Sequence, residues 1–226
     1  MKKLRIDVWS DIVCPWCAIG NRRLERALEQ FPHRDEVEVV WHSFELDASA
    51  PAVHDGDHAG HLAAKYGRSR AEAEAMIARV VKLAAEDGLT LRLLEARAGN
   101  TFDAHRLLHF AAERGIEPAV RLRLFRGYMT EGEPIGDRDV LLRLATEAGL
   151  PADETRAVLD SDRYGDDVRD DEQAAAAIGI GGVPFFILAG RIGVSGAQPV
   201  DLFRRALDQA WTKVQQGDDT DGTAVA

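Results

Sequence analysis

The order of apolar periodicities predicts an α/β protein: a mixed sheet with flanking helices, interrupted by a large all-helical insertion. Three observations carry this. Strand-like alternation is confined to the two ends of the 226-residue chain, and residues 58–162 show only helical spacing. The two closing strand segments are joined by a two-residue turn, which makes that pair antiparallel, whereas the opening strands flank a helix.

The elements follow in order. Leu4 to Trp9 alternates Leu4, Ile6 and Val8 with Arg5, Asp7 and Trp9 and reads as the first strand. Pro15 suits a first helical turn, where its missing N–H does no harm, and Ile19, Leu24, Ala27, Leu28 and Phe31 recur near helical spacing up to Pro32. Val37 to Phe44 is the second strand, followed by a turn-rich stretch from Asp47 to Asp57. In the helical block, Ser69 and Glu72 form a capping box, and Gly88 is a stop for that helix. Further helices are expected over Thr101–Arg114, Pro118–Met129, Asp137–Ala148 and Ala152–Leu159, with one more from Asp162 to Gly179. Pro184–Leu188 and Arg191–Val194 are strands around the Ala189-Gly190 turn, and Gln198-Pro199 opens a last helix through Trp211.

Composition excludes several functions. The chain carries 38 acidic against 28 basic residues, a net charge of −10, so it has no net basic field for nucleic acid or anionic lipid. Two cysteines are too few for a disulfide framework or a Cys-rich zinc module. MKKLRIDVWSD lacks the apolar core of a secretory signal, and charges interrupt every apolar run before membrane-spanning length. The expectation is a cytoplasmic protein with no membrane partner. Asp153–Glu172, with nine carboxylates against three arginines, reads as a solvated acidic face, and the ending at residues 217–226 as a disordered acidic tail.

Cys14 and Cys17, separated by Pro15 and Trp16, stand at a strand-to-helix junction. Cys-x-x-Cys in that place is a redox signature: free backbone N–H groups and the helix dipole stabilise a thiolate on the first sulfur, and the second lies one turn along. Cys14 should attack and Cys17 resolve. The bland alternative is two core cysteines or half of a zinc site, which would need further ligands from distant segments. A second element is GIGGVPFF, Gly179 to Phe186. It fails as a phosphate loop because a strand follows the glycines, and a proline at a strand start can be cis.

Taken together, VWSDIVCPWC, the helical insertion, GIGGVPFF and the terminal hairpin plus helix resemble the thioredoxin fold in its DsbA-like form. More closely, SDIVCPWCAIG, NTFDAHRLLHFA, GVPFF and SGAQP resemble the FrnE-like branch, related to 2-hydroxychromene-2-carboxylate isomerases and kappa-class glutathione transferases. The resemblance implies a thioredoxin-like domain in two parts, residues 1–57 and 163–216, around an inserted helical domain at 58–162. It matches Cys14 to the nucleophile, Cys17 to the resolving thiol and Pro184 to the cis-proline facing them. The Val183 backbone would then pair with a bound substrate chain, and Pro15 and Trp16 join it as substrate contacts. Asp7 matches the buried acid that moves protons for the resolving cysteine, although the stretch from Asp7 to Cys14 is one residue longer than in better-known relatives. A solvent-facing Asp7 is the alternative.

His105 and Arg106 are either structural or substrate contacts. His54, Asp57, His58 and His61 have metal-like spacing, but solvated histidines in a turn-rich stretch are the preferred reading, and no metal is expected. The leading function is a thiol-disulfide oxidoreductase or isomerase acting on disulfide- or dithiol-bearing proteins or small thiols. It would need no cofactor beyond its own dithiol, with glutathione as a co-substrate option, and would act as a monomer or homodimer. The alternatives are a glutathione-dependent isomerase or transferase of the related branch, in which serine usually replaces Cys14, and a redox-independent chaperone-like binding protein.

Overall fold

The computed structural model describes residues 3–216, so the tail expected at 217–226 lies outside the described residues. Along the chain run β1 (Leu4–Ser10), α1 (Pro15–Glu29), β2 (Val37–Ser43), α2 (His58–Tyr66), α3 (Arg70–Glu86), α4 (Phe102–Glu113), α5 (Glu117–Met129), α6 (Arg138–Glu147), α7 (Ala152–Leu159), α8 (Gly165–Ala177), β3 (Phe185–Leu188), β4 (Ile192–Ser195) and α9 (Val200–Gln215). The chain divides into two compact units, residues 1–44 with 171–226, and residues 45–170.

The first unit holds the sheet, in the order β2-β1-β3-β4. β1 pairs with β2 in parallel, with Asp7 opposite Val40 and Trp9 opposite His42. It pairs antiparallel with β3, with Val8 opposite Phe186, and β3 pairs antiparallel with β4. The predicted alternation of β1 sorts its side chains between two faces. Leu4, Ile6 and Val8 enter a core with Leu24 and Ala27 of α1, Phe186 and Leu188 of β3, and Phe203 and Leu207 of α9. Phe186 and Phe203 meet edge to face at 4.8 Å in its centre. On the other face, Trp9 packs with Ala175 and Ile180, flanked by Phe185 and Ile187.

The second unit is helical. Ser69 and Glu72 close the predicted capping box on α3, and the Asp137 side chain accepts from the backbone N–H groups of Asp139 and Val140 to start α6. α2 was not resolved as a separate helix by spacing; Asp57 caps it and Gly67, at φ +60°, ends it. The unit begins at residue 45 rather than 58 because the turn-rich stretch belongs to it. The N–H groups of His54 and Asn100 donate to the carbonyls of Ala98 and Pro51. The Ala52 carbonyl lies so close to Gly99 and Gly136 that an added Cβ would stand 2.0 and 1.8 Å from its oxygen. At the other end the division falls at residues 170/171, within α8, rather than at 162/163.

Candidate active site

The dithiol is built by the turn between β1 and α1. The Cys14 N–H donates to the Asp11 carbonyl at 3.2 Å, and the Cys14 carbonyl accepts from Cys17 N–H at 3.0 Å. Cys14 is the N-cap residue, in extended conformation, with Pro15 beginning the helix. No acidic side chain stands in the first turn to offset the positive end of the dipole. Both cysteines are free and buried, whereas Trp16 between them is 41% exposed and forms the accessible rim.

Cys17 is the deeper thiol, 1% exposed. Burial, followed by hydrogen bonding to Cys14, pushes it well above the usual thiol range. Two groups oppose this: the Asp11 N–H, which donates to the Cys17 sulfur at 3.4 Å, and the hydroxyl of Ser10, the last residue of β1. The Val183–Pro184 peptide bond is cis, and the Cys14 thiol donates to the Val183 carbonyl at 3.7 Å. Cys14, Cys17, Val183 and Pro184 thus come together from positions about 170 residues apart in the sequence.

Asp7 takes another place. Since Ile6 and Val8 face α1, the strand turns Asp7 to the opposite face, half-buried, where Arg5 donates to it at 2.7 Å and the His42 Nε2 stands 2.8 Å away. The His42 Nδ1 is 2.6 Å from the Asp171 carboxylate, whose other oxygen accepts from Ser43 N–H. Trp9 stacks on His42 at 4.4 Å and donates its indole N–H to the Asp171 carbonyl. Burial pushes the Asp7 carboxyl up, but the hydrogen bonds from His42 and Arg5 outweigh it and hold it below the usual range. Burial alone would lower His42; the two carboxylates instead raise it from 6.5 to about 9. This cluster joins β1, β2 and α8, and the groups set against Cys17 are Ser10 and Asp11.

His105 and Arg106 lie buried on α4 within the helical unit. The Arg106 guanidinium pairs with Asp103 at 2.7 Å and donates to the carbonyls of Val158, Ser161 and Arg163. Four acceptors from two stretches of chain give it a structural task. Asp57 caps α2 and pairs with Arg70, and burial holds His58 down to about 4. Among the described residues no cluster of three or more His, Cys, Asp or Glu side chains is arranged to hold a metal ion, and no helix is long and apolar enough to cross a membrane.

Spacing gave no role to two residues of this region. Gly20 lies at the helical interval between Cys17 and Leu24, so its place on the buried stripe of α1 was readable although its reason was not. His42 shows no local signal, because its partner Asp171 lies 129 positions away.

Residues 5–208 match the profile of the DSBA-like thioredoxin domain. The chain is similar to the crystal structure of the probable DsbA oxidoreductase SCO1869 from Streptomyces coelicolor, at 45% identity and a TM-score of 0.89, covering 98% of this chain and 94% of that one. It is 28% identical to the uncharacterized protein YwbO of Bacillus subtilis over 93% of this chain and 98% of that protein. A 2-hydroxychromene-2-carboxylate isomerase shares the fold at a TM-score of 0.68 and 14% identity, over 96% of this chain and all of that one. With a match over most of its length, and with the dithiol and the cis-proline in one place, the chain belongs to the DsbA-like thioredoxin family.

Proposed function

We propose that the chain catalyses thiol-disulfide exchange through Cys14 and Cys17. The observation that carries this reading is the meeting of a helix-capping cysteine, a second thiol one turn along, and the backbone carbonyl before a cis-proline. The Cys14 thiolate attacks one sulfur of a substrate disulfide, forming a mixed disulfide and releasing the other sulfur as a thiolate that takes up a proton. Cys17 then gives up its proton and attacks the Cys14 sulfur. The Cys14–Cys17 bond forms, the second substrate thiol leaves, and two electrons have passed from the protein dithiol to the substrate. Run backwards, the same steps oxidise a dithiol.

The exposed Trp16 and the Val183 backbone suit an extended peptide carrying a cysteine. Disulfide- or dithiol-bearing proteins are therefore the proposed partners in a cytoplasmic setting, and glutathione is the proposed small thiol that re-reduces the disulfide. The shared fold with an isomerase favours a second reading, glutathione-dependent isomerase or transferase chemistry.

The decisive experiment is trapping on Cys17→Ser in cells. Exchange predicts protein adducts joined through Cys14, together with insulin-disulfide reduction by the wild type that both Cys14→Ser and Cys17→Ser abolish. Glutathione or a small metabolite as the only adduct would favour the second reading. Unchanged insulin reduction by both single variants would refute exchange through this dithiol, and full client holding by the double serine variant would indicate a redox-independent binding protein.

A further inference from the structure

The geometry points to Gly20 as a positioning residue for the exchange reaction: its missing side chain sets how closely the Val183 carbonyl stands to the Cys14 sulfur. This rests on the thiol-exchange reading of the site. A glycine inside a helix is destabilising by itself, so its presence at a buried position of α1 calls for a local cause. The contact supplies one. A Cβ at Gly20 would stand 2.9 Å from Pro184 Cγ and 3.2 Å from Phe186 Cζ, whereas carbon atoms settle at about 3.5–4.0 Å.

Any side chain at position 20 therefore separates α1 from the Pro184 segment by about half an ångström. Cys14 caps that same helix, and Val183 directly precedes Pro184. The separation carries over to the thiol and its acceptor, opening their 3.7 Å contact to about 4.2 Å. Two consequences follow. The Cys14 thiol loses the carbonyl that accepts its proton, which shifts the balance towards thiolate. The backbone edge that would hold a substrate chain also moves away from the sulfur that must attack it, and reactivity falls steeply with such misplacement. A glycine needed only for packing would change stability without either effect.

The test has two arms. In reduced Gly20→Ala/Cys17→Ser, compared with Cys17→Ser, the pH profile of Cys14 alkylation by iodoacetamide should move about 0.5 pH units lower, the scale of one net hydrogen bond. In Gly20→Ala with both cysteines, kcat/KM on a synthetic peptide disulfide should fall about tenfold, with the loss mainly in kcat. An unmoved or upward-shifted alkylation profile overturns the proposal, as does unchanged kcat in an active enzyme. Should Gly20→Ala fail to fold, Gly20→Ala/Phe186→Leu removes the ring contact and keeps the Pro184 one. Failure of both variants to fold would overturn the proposal, since Gly20 would then serve stability and not spacing. A wild type inactive on every disulfide would refute exchange, whereas the alkylation arm reports on positioning alone.

Discussion

The His42 cluster gives the sheet unit a stability that depends on pH in a direction opposite to that of a carboxylate. His42 is raised from 6.5 to about 9 by Asp171 and Asp7 against the opposing effect of burial. A group raised in the folded state stabilises fully below its unfolded value, loses that stabilisation as pH rises, and contributes nothing above its folded value. The window is therefore pH 6.5 to about 9, and the shift corresponds to about 3 kcal/mol. His42 is largely buried, 16% exposed at its side chain, so solvent screening removes little of this. The lowered Asp7 expresses part of the same interaction and adds no separate amount.

The perturbation is His42→Gln, measured by urea unfolding at several pH values followed through tryptophan fluorescence. The four tryptophans, at positions 9, 16, 41 and 211, all lie in the sheet unit, so the signal reports that unit alone. The variant should be less stable by about 3 kcal/mol at pH 6, and this deficit should shrink progressively towards about pH 9.5, leaving only the loss of neutral contacts such as the Trp9 stack. Thiols and other groups that titrate in the same window cancel in the difference. A deficit that stays constant from pH 6 to 9.5 would refute the reasoning, as would a His42 imidazole that titrates near 6.5 by NMR.

Arg106→Met should lower the stability of the helical unit by about 3 kcal/mol, because Asp103 and three carbonyls lose their shared donor; circular dichroism during urea unfolding checks it. Ser69→Ala should cost about 1 kcal/mol by removing half of a reciprocal cap, and a loss below about 0.3 kcal/mol would show the α3 terminus to be held by other contacts. With the reduced protein at pH 7, limited iodoacetamide should modify Cys14 at least about tenfold faster than Cys17, whose thiol is held well above its usual range by burial and by Cys14. Peptide mass spectrometry reads the ratio, and equal labelling would contradict the raised Cys17.

Elements with a strong local period were legible. The alternation of Leu4 to Trp9, the Ser69/Glu72 box, and the turn at Ala189-Gly190 each act through neighbours in sequence, and the structure forms a strand, a capped helix and a hairpin at these places. The hairpin loop is three residues, Ala189 to Arg191, rather than the expected two, since Leu188 pairs with Ile192. Boundaries decided by long-range contacts were not. Residues 47–57 have the composition of a linker, yet the carbonyl of Ala52 is held against Gly99 and Gly136, which no local pattern announces. Asp7 shows the same limit within one strand. The family resemblance matches it to a proton relay, but the two-residue period of β1 turns it away from the α1 face, to Arg5 and His42.

By itself the sequence determined the chemistry on offer: two thiols one helical turn apart, at a strand-to-helix junction, with a Gly-Val-Pro stretch late in the chain. These depend on residues within a few positions of one another, where backbone geometry is set by local sterics and hydrogen bonding. Only the tertiary structure decided what faces that dithiol. It brought the Val183 carbonyl to Cys14 across 169 positions, placed Gly20 against Pro184, and drew His42 between Asp7 and Asp171. Such contacts arise when α1 and the strands close on a common core, and their distances are set by close packing, which no stretch of sequence encodes alone.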